Sequence, residues 1–261
     1  MIERLGALVA SWLAEAGAFS VFCARAFRDA FRRPFELDEI ARQIHEVGWR
    51  SVPLIATSGF AVGIVFSLHT RASLEMFGAE SMIPAGLGVS LIREVGPLVA
   101  GLMFSGRVGA GIGAELGAMK VTEQIDALEA LAVDSFKYLA VTRIIACMIA
   151  MPILTALIDF MGMTGGFVAE AAVSGMSYRL YFERAFLLVD FDHFVTSILK
   201  TSVFGFLIAA VASYLGMHAS RGTEGVGRAS TMSVVAGSIL IIVVNVVLVK
   251  LIFFLFPEGG A

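Results

Sequence analysis

A chain of 261 residues that is 58% hydrophobic and 16% charged, with a mean hydropathy of +0.86, is too apolar for an ordinary soluble domain, whose apolar share is nearer half. Its net charge of −3 offers no basic surplus that would recruit nucleic acid. Two cysteines in apolar surroundings, Cys23 and Cys147, make no disulfide framework. An integral membrane protein with short loops and no internal repeat is the class that remains.

In chain order, residues 1–33 bring Arg4, Ser11, Glu15, Asp29 and Arg33 to one side of a helix, with Leu, Val, Trp and Phe on the other. The basic run Arg25, Arg28, Arg32, Arg33 stands where a cleaved signal peptide would need small residues. The segment is expected to lie in the membrane interface with its arginines toward anionic headgroups, a first spanning helix being the alternative. Pro34 should end it, and Asp38 to Arg50 reads as a polar connector helix. Residues 1–50 then form an N-terminal unit and 51–261 the transmembrane domain.

Crossing the hydrocarbon takes about 20 mostly apolar residues. Val52–His69 supplies 18 without a formal charge. The second span, near Met82–Gly106, carries adjacent Arg93 and Glu94; the third, Ile144–Ala169, is expected to break at Pro152 and holds Asp159. A charged, aromatic stretch over about 170–193 should lie flat on a membrane face. Thr201–Met217, with Lys200 at its edge, and Thr231–Val249, interrupted by Asn245, complete five spans, and Lys250 can snorkel from the last. With five spans the termini lie on opposite sides. An inside N-terminus puts thirteen of the nineteen Lys and Arg residues in inner segments and three in outer ones, so the N-terminus is expected in the cytoplasm and the C-terminus outside.

The chain's organising stretch is Ile92–Asp134. Gly101, Ser105, Gly109, Gly113 and Gly117 recur every four residues, beside a second small row of Gly106, Ala110, Ala114 and Ala118. In lipid, close helix association needs such residues, so one side of this helix should be tightly packed, whether statically or as a sliding face. Gly96 and Pro97 predict a kink. Arg93 and Glu94 point about 100° apart on a helix, so each needs a partner in protein or water. They are either an ion pair orienting the bundle or the polar border of a substrate cavity. The segment over about 121–133, with Thr122, Glu123, Gln124, Ile125, Asp126, Leu128 and Glu129, is too short and charged to span. Thr122 should cap it, with acids in the first turn complementing the helix dipole. Ile125, Leu128 and Ala132 form an apolar edge. It reads as a helix docking into a soluble partner, or as a solvated loop helix.

The run IREVGPLVAGLMFSGRVGAGIGAELGAMKVTEQIDALEALAVD resembles the central signature of the MlaE (YrbE) permease family, membrane subunits of ABC-type phospholipid transporters that work with MCE-domain proteins. The similarity covers most of the chain, least specifically the N-terminal helix. It implies an all-α membrane protein with an N-terminal interfacial helix and five transmembrane helices, present in two copies in a bacterial inner membrane. It also implies two cytoplasmic ABC ATPase subunits that use ATP and Mg, a periplasmic MCE hexamer, and phospholipid moved between the inner and outer membranes. By the same resemblance TEQIDALEAL, residues 122–131, forms the coupling helix seated in the ATPase. Leu74 and Phe77, with Phe66 on the same helix, would line the lipid site, and Arg93 and Glu94 would sit near its base. The chain has no GxxxxGK[ST] loop and none of the HExxH, GxSxG or Cys/His metal spacings, so it is expected to be no enzyme, to bind no cofactor itself and to rely on another chain for ATP hydrolysis. An ion-coupled secondary transporter of an amphipathic substrate is the alternative. It would call for paired repeats and a midplane relay of acids, for which only Glu94 and Asp159 are candidates.

Overall fold

A computed structural model describes residues 2–33, 35–220 and 222–255, leaving aside the side chains of 2–9, 11, 12, 253 and 255. The break expected at Pro34 therefore lies outside the described residues, as do Arg221 and the C-terminal end; of the expected N-terminal stripe, the Arg4 and Ser11 side chains lie outside them too. The described chain is helical without strands: α1 (Ile2–Ala30), α2 (Leu37–Trp49), α3 (Val52–Glu75), α4 (Ile83–Ser90), α5 (Gly96–Phe104), α6 (Ala110–Val121), α7 (Gln124–Ala130), α8 (Thr142–Ser174), α9 (Tyr178–Ala185), α10 (Phe191–Met217) and α11 (Thr223–Leu255). Short π-helical turns at Leu91–Val95 and Ser105–Gly109 join α4, α5 and α6 into one rod. Five stretches are long and apolar enough to cross a membrane: Leu37–Glu75, Glu80–Val121, Phe136–Ser174, Phe191–Met217 and Thr223–Ile252.

The number of spans agrees with the sequence reading, and their ends extend further. The second span continues through the glycine-rich region to Val121 as one helix. Pro152 does not break α8, which runs unbroken from Thr142 to Ser174. Helix α8 also takes in Glu170, so the stretch expected to lie flat over 170–193 is divided between the end of α8, the short α9 and the start of α10. The reason is that Glu170 is not a surface acid: it is fully buried and paired with Arg71 of α3.

Glycine sets how near the helices come. A methyl group on Gly59 would stand 2.7 Å from the carbonyl oxygen of Ile158, and one on Gly63 would overlap the backbone of Gly162. Helices α3 and α8 therefore meet backbone to backbone, the arrangement that gives tight association in lipid. The row predicted at Gly101, Gly109, Gly113 and Gly117 faces α10 and α11: added methyls would meet Phe204 and Ile241, Ile208, Ser233, and Ala219 with Ala229. Ser105 and Ser230 seal this seam, donating to the carbonyls of Val234 at 3.3 Å and Ala110 at 3.1 Å. The second small row is different, because Gly106 has nothing within 4 Å.

Helix α1 lies outside the five spans. Its Phe22 and Ala26 are buried, with Phe22 packing edge-on against Phe136 and Tyr214. Connector α2 is part of the bundle and packs along α8 through Glu39, Gln43 and Val47.

Candidate functional site

The polar centre of the molecule is built around Pro97. Proline has no N–H, so the carbonyl of Arg93, four residues earlier, loses its α-helical donor, and the proline ring needs room there. The chain widens into the π turn Leu91–Val95, closed by the Gly96 N–H donating to the Leu91 carbonyl. Lys200 of α10 fills the gap, its ammonium donating to the Arg93 carbonyl at 2.7 Å and to Glu94 Oε1 at 3.0 Å. Asn245 of α11 donates to the other Glu94 oxygen at 3.3 Å. Two helices thereby grip one π turn through one carboxylate.

The burial is uneven. The Lys200 side chain is 1% exposed while that of Glu94 is 38% exposed, so Glu94 is the member of the pair that meets whatever lies outside the chain. Arg93 is engaged as well. Asp159 of α8 is buried against Gly96, where an added methyl would collide with its Oδ1, and that oxygen accepts no hydrogen bond. Of the two residues the sequence offered as partners for the pair, Asn245 binds Glu94, whereas Asp159 stands behind the turn. Lys200 was legible only as a residue at a span edge. In the structure α10 begins at Phe191, which carries Lys200 into the bundle. The signal that could have found it is that an acid inside a span requires a cation on another span.

At the far end of α6 the chain reverses into α7. Thr122 does not cap α7: its hydroxyl donates back to the Ala118 carbonyl at 2.8 Å and so closes α6. The N-cap position is Glu123, in the left-handed region at φ 60°, with no side-chain cap. Ile125 is buried and Leu128 packs on the same core, while Glu123, Gln124, Asp126 and Glu129 are exposed. Asp126 accepts from Lys120 at 2.9 Å and Glu129 from Ser135 at 2.6 Å. Ile125 and Leu128 form the expected apolar edge, whereas Ala132 lies past α7 at φ 59° and is exposed; the acids of the other edge are exposed, with Asp126 and Glu129 already engaged within the chain. Arg143 links this end to α6, donating to Glu115 at 2.8 Å and to the Leu139 carbonyl at 2.8 Å.

At the opposite end, Ser67 and Arg71 of α3 converge on Glu170, the serine at 2.9 Å. Tyr181 of α9 is buried beside Gly166 with its hydroxyl unpartnered, and burial pushes that hydroxyl well above the usual phenol range. Of the residues expected to line a lipid site, Phe77 is 80% exposed just past α3, Leu74 is half-buried, and Phe66 packs with Leu87, Leu91 and Met163. Arg93 and Glu94 stand on the π turn while Phe77 lies past the end of α3, so the expected lining is spread over separate elements. Leu91, however, belongs to both the Phe66 cluster and the π turn, so the two regions share a wall.

The family described as Permease MlaE matches residues 40–251. A probable ABC transporter permease protein of Rickettsia bellii is 38% identical over 237 residues, 91% of this chain and 92% of that one. The intermembrane phospholipid transport system permease protein MlaE of Haemophilus influenzae is 29% identical over 255 residues, 97% of each chain. The chloroplastic protein TRIGALACTOSYLDIACYLGLYCEROL 1 of Arabidopsis thaliana is 29% identical over 212 residues, 81% of this chain and 61% of its own length.

Proposed function

Because the chain belongs to the MlaE permease family, we propose that it is the membrane subunit of an ATP-driven transporter that moves phospholipid between the inner and outer membranes and so maintains outer-membrane lipid asymmetry. The observation that carries this reading is the single rod Glu80–Val121, which holds Glu94 about a third of the way along and delivers the chain to α7 at its end. A push on α7 is thereby applied to a helix whose opposite part bears the partly exposed carboxylate of the polar node. The relative from Haemophilus, named for intermembrane phospholipid transport, supplies the substrate class.

Two copies would enclose a lipid path, with acyl chains against the apolar surfaces near Phe66, Leu74 and Phe77, and the headgroup near Arg93 and Glu94. Helix α7 would seat in a separate ABC ATPase that binds ATP and Mg, and an MCE hexamer would receive or deliver lipid on the periplasmic side. The N-terminus and α7 are then cytoplasmic, in agreement with the lysine and arginine bias. The interface is electrostatic on this side, so Glu123→Lys with Asp126→Lys should abolish co-purification of the ATPase while the permease still elutes as a folded species. An intact complex in that double variant would refute the docking role of α7.

A further inference from the structure

Between α1 and α7 lies a cavity of about 870 Å³, well within the size range of small-molecule sites. One part of its wall is apolar, with Phe22, Ile125 and Met217, and another is cationic, with Arg25 and Lys120. A second cavity of about 610 Å³ shares Arg25 and Asp134 with the first and adds Arg28, Arg32, Arg33 and Lys137. Six Lys and Arg side chains thus line the two, against the four carboxylates of Asp29, Glu36, Glu129 and Asp134. Three of the guanidiniums share one acid: Asp29 takes Arg25 at 3.4 Å, Arg28 at 3.2 Å and Arg32 at 3.6 Å. Arg33 has no ion pair or hydrogen bond among the described residues, so donors are in excess.

The neighbouring surface shows what can reach them. Phe27, Phe31 and Phe35, each about half to three-quarters exposed, stand next in the chain to the arginines of this basic patch. Aromatic side chains with a basic fringe mark the boundary between acyl chains and headgroups. The cavity combines an apolar chamber with a cationic mouth, which suits an amphipathic anion of the kind a membrane supplies.

We propose that the paired cavity between α1 and α7 binds one anionic phospholipid of the adjoining leaflet, its phosphate on the Arg28, Arg32 and Arg33 side and an acyl chain in the chamber against Phe22, Ile125 and Met217. The site is separate from the transport path, and the binding claim stands whether or not that path carries phospholipid. Because Ile125 and Glu129 of α7 form part of the wall, an occupied site ties the position of α7 to the bilayer.

The test uses the full chain, purified with whatever subunits it retains, in nanodiscs of phosphatidylcholine with a minor share of phosphatidylglycerol, and native mass spectrometry counts lipids carried after release. Wild type should retain one phosphatidylglycerol per chain in preference to phosphatidylcholine. Arg32→Glu with Arg33→Glu should weaken that retention about thirtyfold or more, since each basic residue near an anionic surface contributes substantially. Ala18→Trp, which fills the chamber and leaves the cations intact, should also remove the lipid; free inorganic phosphate would ignore this plug. Arg179→Glu at the opposite end is the control that should change nothing. Equal retention of both lipids, retention unaffected by the plug, or a crosslink from position 18 to a partner polypeptide instead of to lipid would overturn the proposal.

Discussion

Replacing Lys200 with methionine removes two interactions of unequal worth. The ion pair to Glu94 is discounted because that carboxylate is 38% exposed. The bond to the Arg93 carbonyl is charge-assisted and made by a side chain that is 1% exposed, and such bonds contribute about 1.5–3 kcal/mol. The carbonyl cannot recover a helical partner, because the residue four positions on is Pro97. Lys200→Met should therefore cost about 2–3 kcal/mol, a melting-temperature drop of about 4–12 °C for a chain of this size. Pro97→Ala returns an N–H at the right position. In the Lys200→Met background it should give back roughly 1 kcal/mol, whereas alone it should be close to neutral because Lys200 already occupies the carbonyl. The assay is thermal unfolding of the four proteins in one detergent, read as a double-mutant cycle. Additive effects, with no recovery in the double variant, would refute the idea that Lys200 substitutes for the missing backbone donor.

Three further outcomes follow from the packing and burial. Gly63→Ala places a methyl on the backbone of Gly162 and should destabilise the protein by about 1–3 kcal/mol or more in the same melting assay, whereas Gly111→Ala, with nothing within 4 Å, should be neutral or stabilising. Arg71→Met leaves the buried Glu170 carboxylate without its counter-ion and should cost about 3–5 kcal/mol, while Arg71→Met with Glu170→Met should cost clearly less. Burial pushes the Cys23 thiol up to about 11. Alkylation of the intact protein at Cys23 should therefore keep rising about tenfold per pH unit beyond pH 9, where an ordinary thiol levels near its pKa of about 8.5, and a plateau at pH 9 would contradict the half-buried placement against the core.

The features readable from sequence were those written in local composition. Uninterrupted apolar windows revealed five spans, and the four-residue recurrence from Gly101 to Gly117 revealed the seam with α10 and α11. Gly96–Pro97 foretold an irregularity, which took the form of a π turn and not an open kink. What escaped depends on partners distant in the chain. Glu170 looked like a surface acid because its counter-ion, Arg71, lies 99 residues away, and Lys200 looked peripheral because Glu94 lies 106 residues away. Charged residues lower hydropathy wherever they occur, so a composition window ends a span at a buried ion pair as readily as at water. Thr122 failed as a predicted cap for a local reason: its hydroxyl had a carbonyl of the preceding turn within reach, and a serine or threonine at a helix end satisfies either helix. Gly59 and Gly63 carried a small-residue spacing of their own, overshadowed by the longer row on the second span.

The proposed function requires that phospholipid move through this chain under the drive of a separate ATPase acting through α7. The direct measurement is transfer of a fluorescent phospholipid by the purified complex, reconstituted in vesicles, with and without ATP and Mg, compared between wild type and the Glu123→Lys, Asp126→Lys double variant. Wild type should show ATP-dependent lipid movement, lost in the variant along with the bound ATPase. Lipid movement that ignores ATP, or uptake driven by an ion gradient in a chain purified without any ATP-binding partner, would contradict the proposed function.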